Sequence, residues 1–184
     1  MNGQPVAPGT LNTGYIIGRQ GIQVGLTAAN TAGFRFAKLQ PYQQHPGDWM
    51  MPRGCITVNP DRNRDAEGPI CTPANILVDT GIPQSYMTLP PDIRFGTVQQ
   101  PDKSAPDRSV AVHIPDAVTP IATDAFIVGD RAPNEPEQVI PWSTGKRPPF
   151  INTGRHFLRQ YQFLYDAAQG YVGMKEQPNP CGEE

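Results

Sequence analysis

Charge is scarce in this sequence. Asp, Glu, Lys and Arg make up 17% of 184 residues and nearly cancel, leaving a formal net charge of -2. With acids and bases interspersed there is no sustained positive field for a phosphate backbone, so a nucleic-acid partner is disfavoured. Long apolar runs are missing too: none approaches the roughly 20 residues that a bilayer-spanning helix needs, and no membrane partner is expected. The opening "MNGQPVAPGT" has neither the basic nor the apolar region of a signal peptide, and the chain reads as soluble. There are only 3 histidines, His45, His113 and His156, at no spacing typical of a zinc site. Each reads as an ordinary surface or cap residue, and neither a metal nor any other cofactor is expected. Ser85 and Ser143 lack a nucleophile-elbow context, which removes the serine hydrolases.

Cysteine is also sparse, with Cys55, Cys71 and Cys181. The first two flank the polar, turn-rich stretch "ITVNPDRNRDAEGPI" much as the two strands of a hairpin would present them. A bridge there would contribute roughly 3 kcal/mol by restricting the unfolded chain. The alternative is a pair of buried free thiols, since no redox context is visible. Cys181, in the tail "PNPCGEE", reads as exposed and unpaired.

Turn formers are what the chain does have. Proline (22) and glycine (18) together exceed a fifth of the residues, yet short apolar runs recur between them, a mixture that points to β structure with long connections. "YIIG" and "IQVGLT", separated by "RQG", read as a hairpin. "FRFAKLQ" alternates with period two, "CITVN" is β-branched, and "SVAVHIP" and "AFIVGD" read as further strands. The continuous apolar run in "NILVDTG" predicts a strand buried on both faces, ending at Asp79. The expected organisation is an irregular arm over 1–14, a β domain over 15–175 and a flexible tail over 176–184. In "GRHFLRQYQFLYDAAQG" the apolar residues Phe157, Leu158, Tyr161, Leu164, Tyr165 and Ala168 keep helical spacing, so periodicity alone predicts one helix capped by Gly170. A short helix followed by a two-stranded hairpin fits the same residues. Trp49 and Trp142 read as packing residues without a functional role.

An Asp-Thr-Gly tripeptide satisfies ordinary turn preferences, so by itself it is a weak motif. Two separated stretches together, however, resemble the pepsin-like and retropepsin-like aspartic proteases. "ILVDTG" matches the active-site strand and loop of that family. "GRHFLRQYQFLYDAAQGYVGM" is similar to the segment near the end of a pepsin lobe, matched here by Gly154, Phe157, Leu158, Arg159, Tyr161, Tyr165, Asp166, Val172 and Gly173. The implied fold is an all-β, aspartic-protease-like single lobe, a closed or partly open β-barrel or sandwich with one short helix near the C-terminus. It most resembles a pepsin C-terminal lobe, and it favours the short helix and hairpin over the single helix.

The resemblance also implies a chemistry. In this family one aspartate from each of two lobes or chains shares a proton with the other, and a water between them becomes the nucleophile for peptide-bond hydrolysis in acid. Carried over, Asp79 is the catalytic acid or base, Thr80 locks the loop to its symmetry mate, and Gly81 lets the backbone approach the carboxylate. The implied partners are a peptide or protein substrate and either a homodimer mate or a missing lobe, because only one Asp-Thr-Gly is present. The family's usual habitat and the Cys55–Cys71 pair lean toward a secreted or periplasmic location. The sequence departs from the pattern at Ile82, where pepsins usually place a Ser or Thr to hydrogen-bond the carboxylate and retropepsins commonly carry Ala. It departs again at Asn152 and Thr153, where the family has two apolar residues. The loop after Phe126 is the candidate flap, by length. The rival reading is a catalytically inactive module of the same fold that binds a peptide or protein partner.

Overall fold

The structure is a computed structural model that describes residues 11–58, 71–88, 109–141 and 148–178. The chain is all-β. In order it forms β1 (Asn12–Gly18), β2 (Gly21–Leu26), β3 (Arg35–Lys38), β4 (Arg53–Val58), β5 (Thr72–Leu77), β6 (Ser85–Met87), β7 (Ser109–Ile114), β8 (Ala122–Ile127), β9 (Val139–Pro141) and β10 (Phe150–Asn152). A 3-10 turn (Arg155–Arg159) and the hairpin β11 (Tyr161–Asp166) and β12 (Tyr171–Glu176) complete it.

Two sheets result. The smaller has the order β2-β1-β11-β12-β3 and the larger β8-β7-β4-β5-β10-β6-β9. Their inner faces close on one core, in which Ile56, Ile76, Val112 and Ile151 of the large sheet meet Phe163, Val172 and Met174 of the small one, with Phe157 of the 3-10 turn. Ile56, Ile76, Ile151 and Phe157 are fully buried, and each such side chain contributes about 1.5–3 kcal/mol relative to an exposed one. A second, smaller cluster of Ile16, Leu26, Phe34 and Leu164 fills the other face of the small sheet.

The hairpin at Arg19-Gln20 forms as its turn signal predicts, with Gly18 opposite Gly21. Cys55 and Cys71 are joined in a disulfide with their Cα atoms 5.4 Å apart, so the free-thiol alternative falls. The bridge ties β4 to the start of β5, where Cys55 already stands opposite Pro73. Cys181, Trp142 and Ser143 lie outside the described residues.

Local pattern misleads in four places. The single helix suggested by periodicity over the last segment does not form; the 3-10 turn and hairpin implied by the family resemblance do. β11 is flanked by β1 through Ile16–Leu164 and by β12 through Leu164–Gly173, so both edges of its backbone are satisfied by strands distant or adjacent in sequence. Gly170, with φ of +67°, serves the turn of that hairpin, where a Cβ would come within 2.4 Å of the Trp49 ring. Second, β5 is not buried on both faces: Ala74 and Ile76 point into the core while Leu77 is 39% exposed. The apolar run reflects one core face and one partly open face, not a sandwiched strand. Third, β8 starts at Ala122, three residues before the run "AFIVGD", because its inward positions are Ala122, Asp124 and Phe126, and the polar middle member hides the alternation. Fourth, His156 is buried (5% exposed), unlike the surface or cap residue expected, and its Nδ1 lies against the Glu135 carbonyl.

The first and last strands also extend beyond the expected bounds. β1 begins at Asn12, inside the stretch read as an arm, because Asn12 pairs with Leu26 and Gly14 with Asp166. β12 runs to Glu176, and Gln177 Nε2 donates to the Leu158 and Tyr161 carbonyls at 2.6 and 2.9 Å, so the first tail residues are anchored. Among the described residues no helix is long and apolar enough to cross a membrane.

Asp124 makes the fold pH-sensitive. Burial pushes its carboxyl up to about 6, against the opposing pull of the Asn134 amide, whose Nδ2 donates to Oδ1 at 2.7 Å. The folded state therefore holds a proton that the unfolded chain releases near its ordinary value of 3.8. The stabilisation is full below that value and is lost as pH rises through about 6. We expect the unfolding free energy of the wild type to fall by about 3 kcal/mol more than that of Asp124→Asn between acid and pH 8. Urea denaturation of both proteins at several pH values checks this, and parallel stability curves would refute it.

Candidate functional site

The site arises where two parallel strands end side by side. β10 is inserted between β5 and β6: it runs parallel to β5, with Ile151 opposite Ile76 and Asn152 opposite Leu77, and antiparallel to β6, with Asn152 opposite Tyr86. The chain leaves β5, passes around the end of β10 through residues 78–84, and returns as β6. The turn that follows β10 is thereby laid against the turn that carries Asp79. Two backbone bonds join them: Thr153 N–H donates to the Leu77 carbonyl at 3.0 Å and Arg155 N–H to the Ile82 carbonyl at 2.8 Å; at the other end of β10, Thr88 N–H donates to the Phe150 carbonyl at 2.8 Å and extends the pairing with β6. Ser85 Oγ, buried, donates to the Asn152 carbonyl at 2.7 Å, which explains a serine whose role is structural.

Asp79 sits in this frame with its carboxylate held on both oxygens. Gly81 N–H donates to Oδ1 at 2.7 Å, the local turn that the Asp-Thr-Gly sequence favours. Asn152 Nδ2 donates to Oδ2, also at 2.7 Å, from 73 positions away in sequence. Asp79 is nevertheless only partly buried, and Thr80 and Gly81 beside it are exposed. The three residues singled out by the motif are thus together at one surface turn. A Cβ at position 81 would stand 3.3 Å from Asp79 Oδ1, so the glycine permits the close approach of its backbone to the carboxylate.

Gly154 is the other fixed point. Its φ is +66°, and a Cβ there would lie 2.3 Å from the Gln84 carbonyl oxygen and 3.2 Å from that of Ile82. Only glycine lets the turn after β10 press against the turn after β5. Its own N–H donates to Asn152 Oδ1 at 2.9 Å, so the amide that holds Asp79 is itself held.

No protein-family model matches the chain, and no curated protein matches it at a significant level. The site must therefore be read from its own geometry.

Asn152 is the residue that sequence reasoning missed as a site member. It stood out only as a polar residue where the resemblance expects an apolar one, and nothing local connects it with Asp79. The candidate flap is the segment after Phe126. That segment is tied along the 3-10 turn: Arg159 Nη1 donates to the Pro133 carbonyl at 2.9 Å, and Arg155 pairs with Glu137 at 3.1 Å. Glu137 N–H donates to the Pro83 carbonyl at 3.0 Å, which fastens the far end of the segment to the flank of the Asp79 turn. Of the other polar candidates, His45 is exposed beside Tyr42, and His113 Nδ1 meets Thr123 Oγ1 at 3.1 Å, neither near the site. Among the described residues no group of three His, Cys, Asp or Glu side chains is placed to hold a metal ion.

If the contact of these two turns supports the site, Gly154→Ala destabilises the protein by about 2–4 kcal/mol, combining a strained φ with a backbone clash. Gly129→Ala, also at positive φ but with nothing within 4 Å of its Cβ, loses markedly less. Equilibrium unfolding of the two variants decides the point; equal losses would show that strain alone, and not the packed turns, sets the cost.

Proposed function

We propose that this chain is one lobe of an aspartic-type peptidase, in which Asp79 and an aspartate from a second copy or a second lobe activate a water for peptide-bond hydrolysis. The observation that carries this reading is a carboxylate fixed by two donors at the ends of paired parallel strands, on a residue that is still only partly buried. A structural aspartate in a simple turn would need only the first donor. The order of the elements supports the same reading: the Asp79 turn and, downstream of it, a glycine-initiated 3-10 turn and a hairpin, as the family resemblance implies.

The chemistry asks little beyond positioning. One ionised carboxylate takes a proton from the bound water as its oxygen attacks the peptide carbonyl, while the protonated carboxyl of the other chain or lobe donates to the carbonyl oxygen. The tetrahedral intermediate then collapses as a proton passes to the leaving nitrogen. Gly81 and Asn152 fix the plane of the Asp79 carboxylate, which reduces the reorganisation that the reaction requires. Thr80 is exposed next to it, and the resemblance gives it the role of locking the loop to its counterpart across the pair. The single carboxylate of one chain cannot divide these roles, so activity depends on pairing.

Cleavage of a denatured protein substrate at about pH 3–6, measured with and without pepstatin for wild type and Asp79→Asn together with the mass in solution, tests the proposal. Acid-dependent cleavage from a paired species, abolished by both pepstatin and the substitution, is the expected result. A folded chain whose paired form binds peptides without cutting them would instead favour the inactive binding module.

A further inference from the structure

Within that peptidase reading, we propose that Asn152 is the positioning residue of Asp79, supplying at Oδ2 the hydrogen bond that Ile82, with no polar side-chain atom, cannot give. The orientation of the Asn152 amide is not arbitrary. Gly154 N–H is a donor and meets one end of the amide at 2.9 Å, which makes that end the carbonyl oxygen. The other end is then the NH2 group, and it faces Asp79 Oδ2 at 2.7 Å. Asn152 is 7% exposed, and its backbone is pinned by Ser85 Oγ and by strands on both sides of β10. The donor is therefore presented by a rigid element to a carboxylate that has little freedom to turn.

An amide at this place differs chemically from a hydroxyl. A Ser or Thr hydroxyl can rotate and either donate or accept, whereas the NH2 of Asn152 can only donate. The lone pair of Oδ2 that faces it is taken up by this N–H and is not the place where a proton is received while the hydrogen bond holds. Within the peptidase reading, a proton entering the site is thereby directed to the remaining lone pairs of Asp79 or to the opposing carboxylate. Asn152 touches neither water nor substrate in this scheme; it acts through Asp79.

The test has one arm that needs no catalysis. In 1H-15N spectra of the full chain, titrated from about pH 7 to about pH 3, the Asn152 side-chain amide signals, assigned by their loss in Asn152→Leu, should move in wild type and stay in place in Asp79→Asn. The kinetic arm compares the folded, paired enzymes. Asn152→Leu should lower kcat by about ten- to a hundredfold with KM within about twofold, since one charge-assisted hydrogen bond is lost from a group used in the transition state. Adding Ile82→Ser to that variant should restore part of kcat by returning a donor. Amide signals indifferent to pH, or full kcat in folded Asn152→Leu, would overturn the proposal. Should Asn152→Leu fail to fold, triple-resonance assignment of the wild type identifies the Asn152 amide signals and the Asp79→Asn comparison still decides. Signals that respond to Asp79 in a wild-type chain that cleaves nothing would remove the peptidase reading and, with it, the positioning role, leaving a carboxylate anchor.

Discussion

The insertion of β10 between β5 and β6 is the constraint on which the rest of the candidate site depends. Two strands that end side by side and parallel bring their following turns into contact, and here both turns carry polar groups that need partners. Asp79 comes from one, Asn152 and Gly154 from the other, and the chain closes the arrangement with Ser85 at the start of β6. Each member satisfies another: a carboxylate takes the amide, the amide takes a backbone N–H, and a hydroxyl takes the carbonyl of the same asparagine. Such networks are stabilising only when every member is paired, because an unpaired buried polar group costs more than a hydrogen bond contributes.

The surrounding architecture holds that junction still. Ile76 and Ile151, the residues just before the two turns, are both fully buried in the common core, so the strands cannot slide without exposing them. Phe157, directly after the Gly154 turn, is fully buried and stacks on Tyr161 with ring centroids 5.2 Å apart. Tyr161 in turn exchanges hydrogen bonds with Thr123, its hydroxyl donating to the Thr123 carbonyl at 3.0 Å and accepting from the Thr123 N–H at 3.1 Å. The small sheet, the 3-10 turn and the far hairpin of the large sheet are thus connected through aromatic packing beneath the site. The segment after β8, fastened to the 3-10 turn and to Pro83, braces the outer side.

The sequence makes some elements legible and hides others for identifiable reasons. β1, β2, β3, β4 and β7 carry period-two or β-branched patterns of ordinary length, and their existence follows from local signals. β6, β9 and β10 are three residues each, too short for any periodicity, and exist only because neighbouring strands supply their hydrogen bonds. The last hairpin was legible from its residues only as one of two readings; its apolar spacing is that of a helix, and its sheet partners in β1, from Ile17 opposite Phe163 to Gly14 opposite Asp166, lie at the other end of the chain. In the site, Asp79, Thr80 and Gly81 announce themselves as a turn, whereas Asn152 has no local signal at all.

What the sequence determined by itself is the set of local conformations: turns at its glycines and prolines, short strands between them, a carboxylate at a strand end with a glycine two residues on to meet it. Those are properties of neighbouring residues, decided by sterics and by hydrogen bonds that span two or three positions. Which strand lies beside β5 was decided by the tertiary structure, and with it the second donor to Asp79, the requirement for Gly154, and the burial of Asp124 and His156. The physical reason is that parallel pairing and polar burial depend on contacts between segments far apart in the chain. No local propensity encodes them; they form because the two sheets must close on one core.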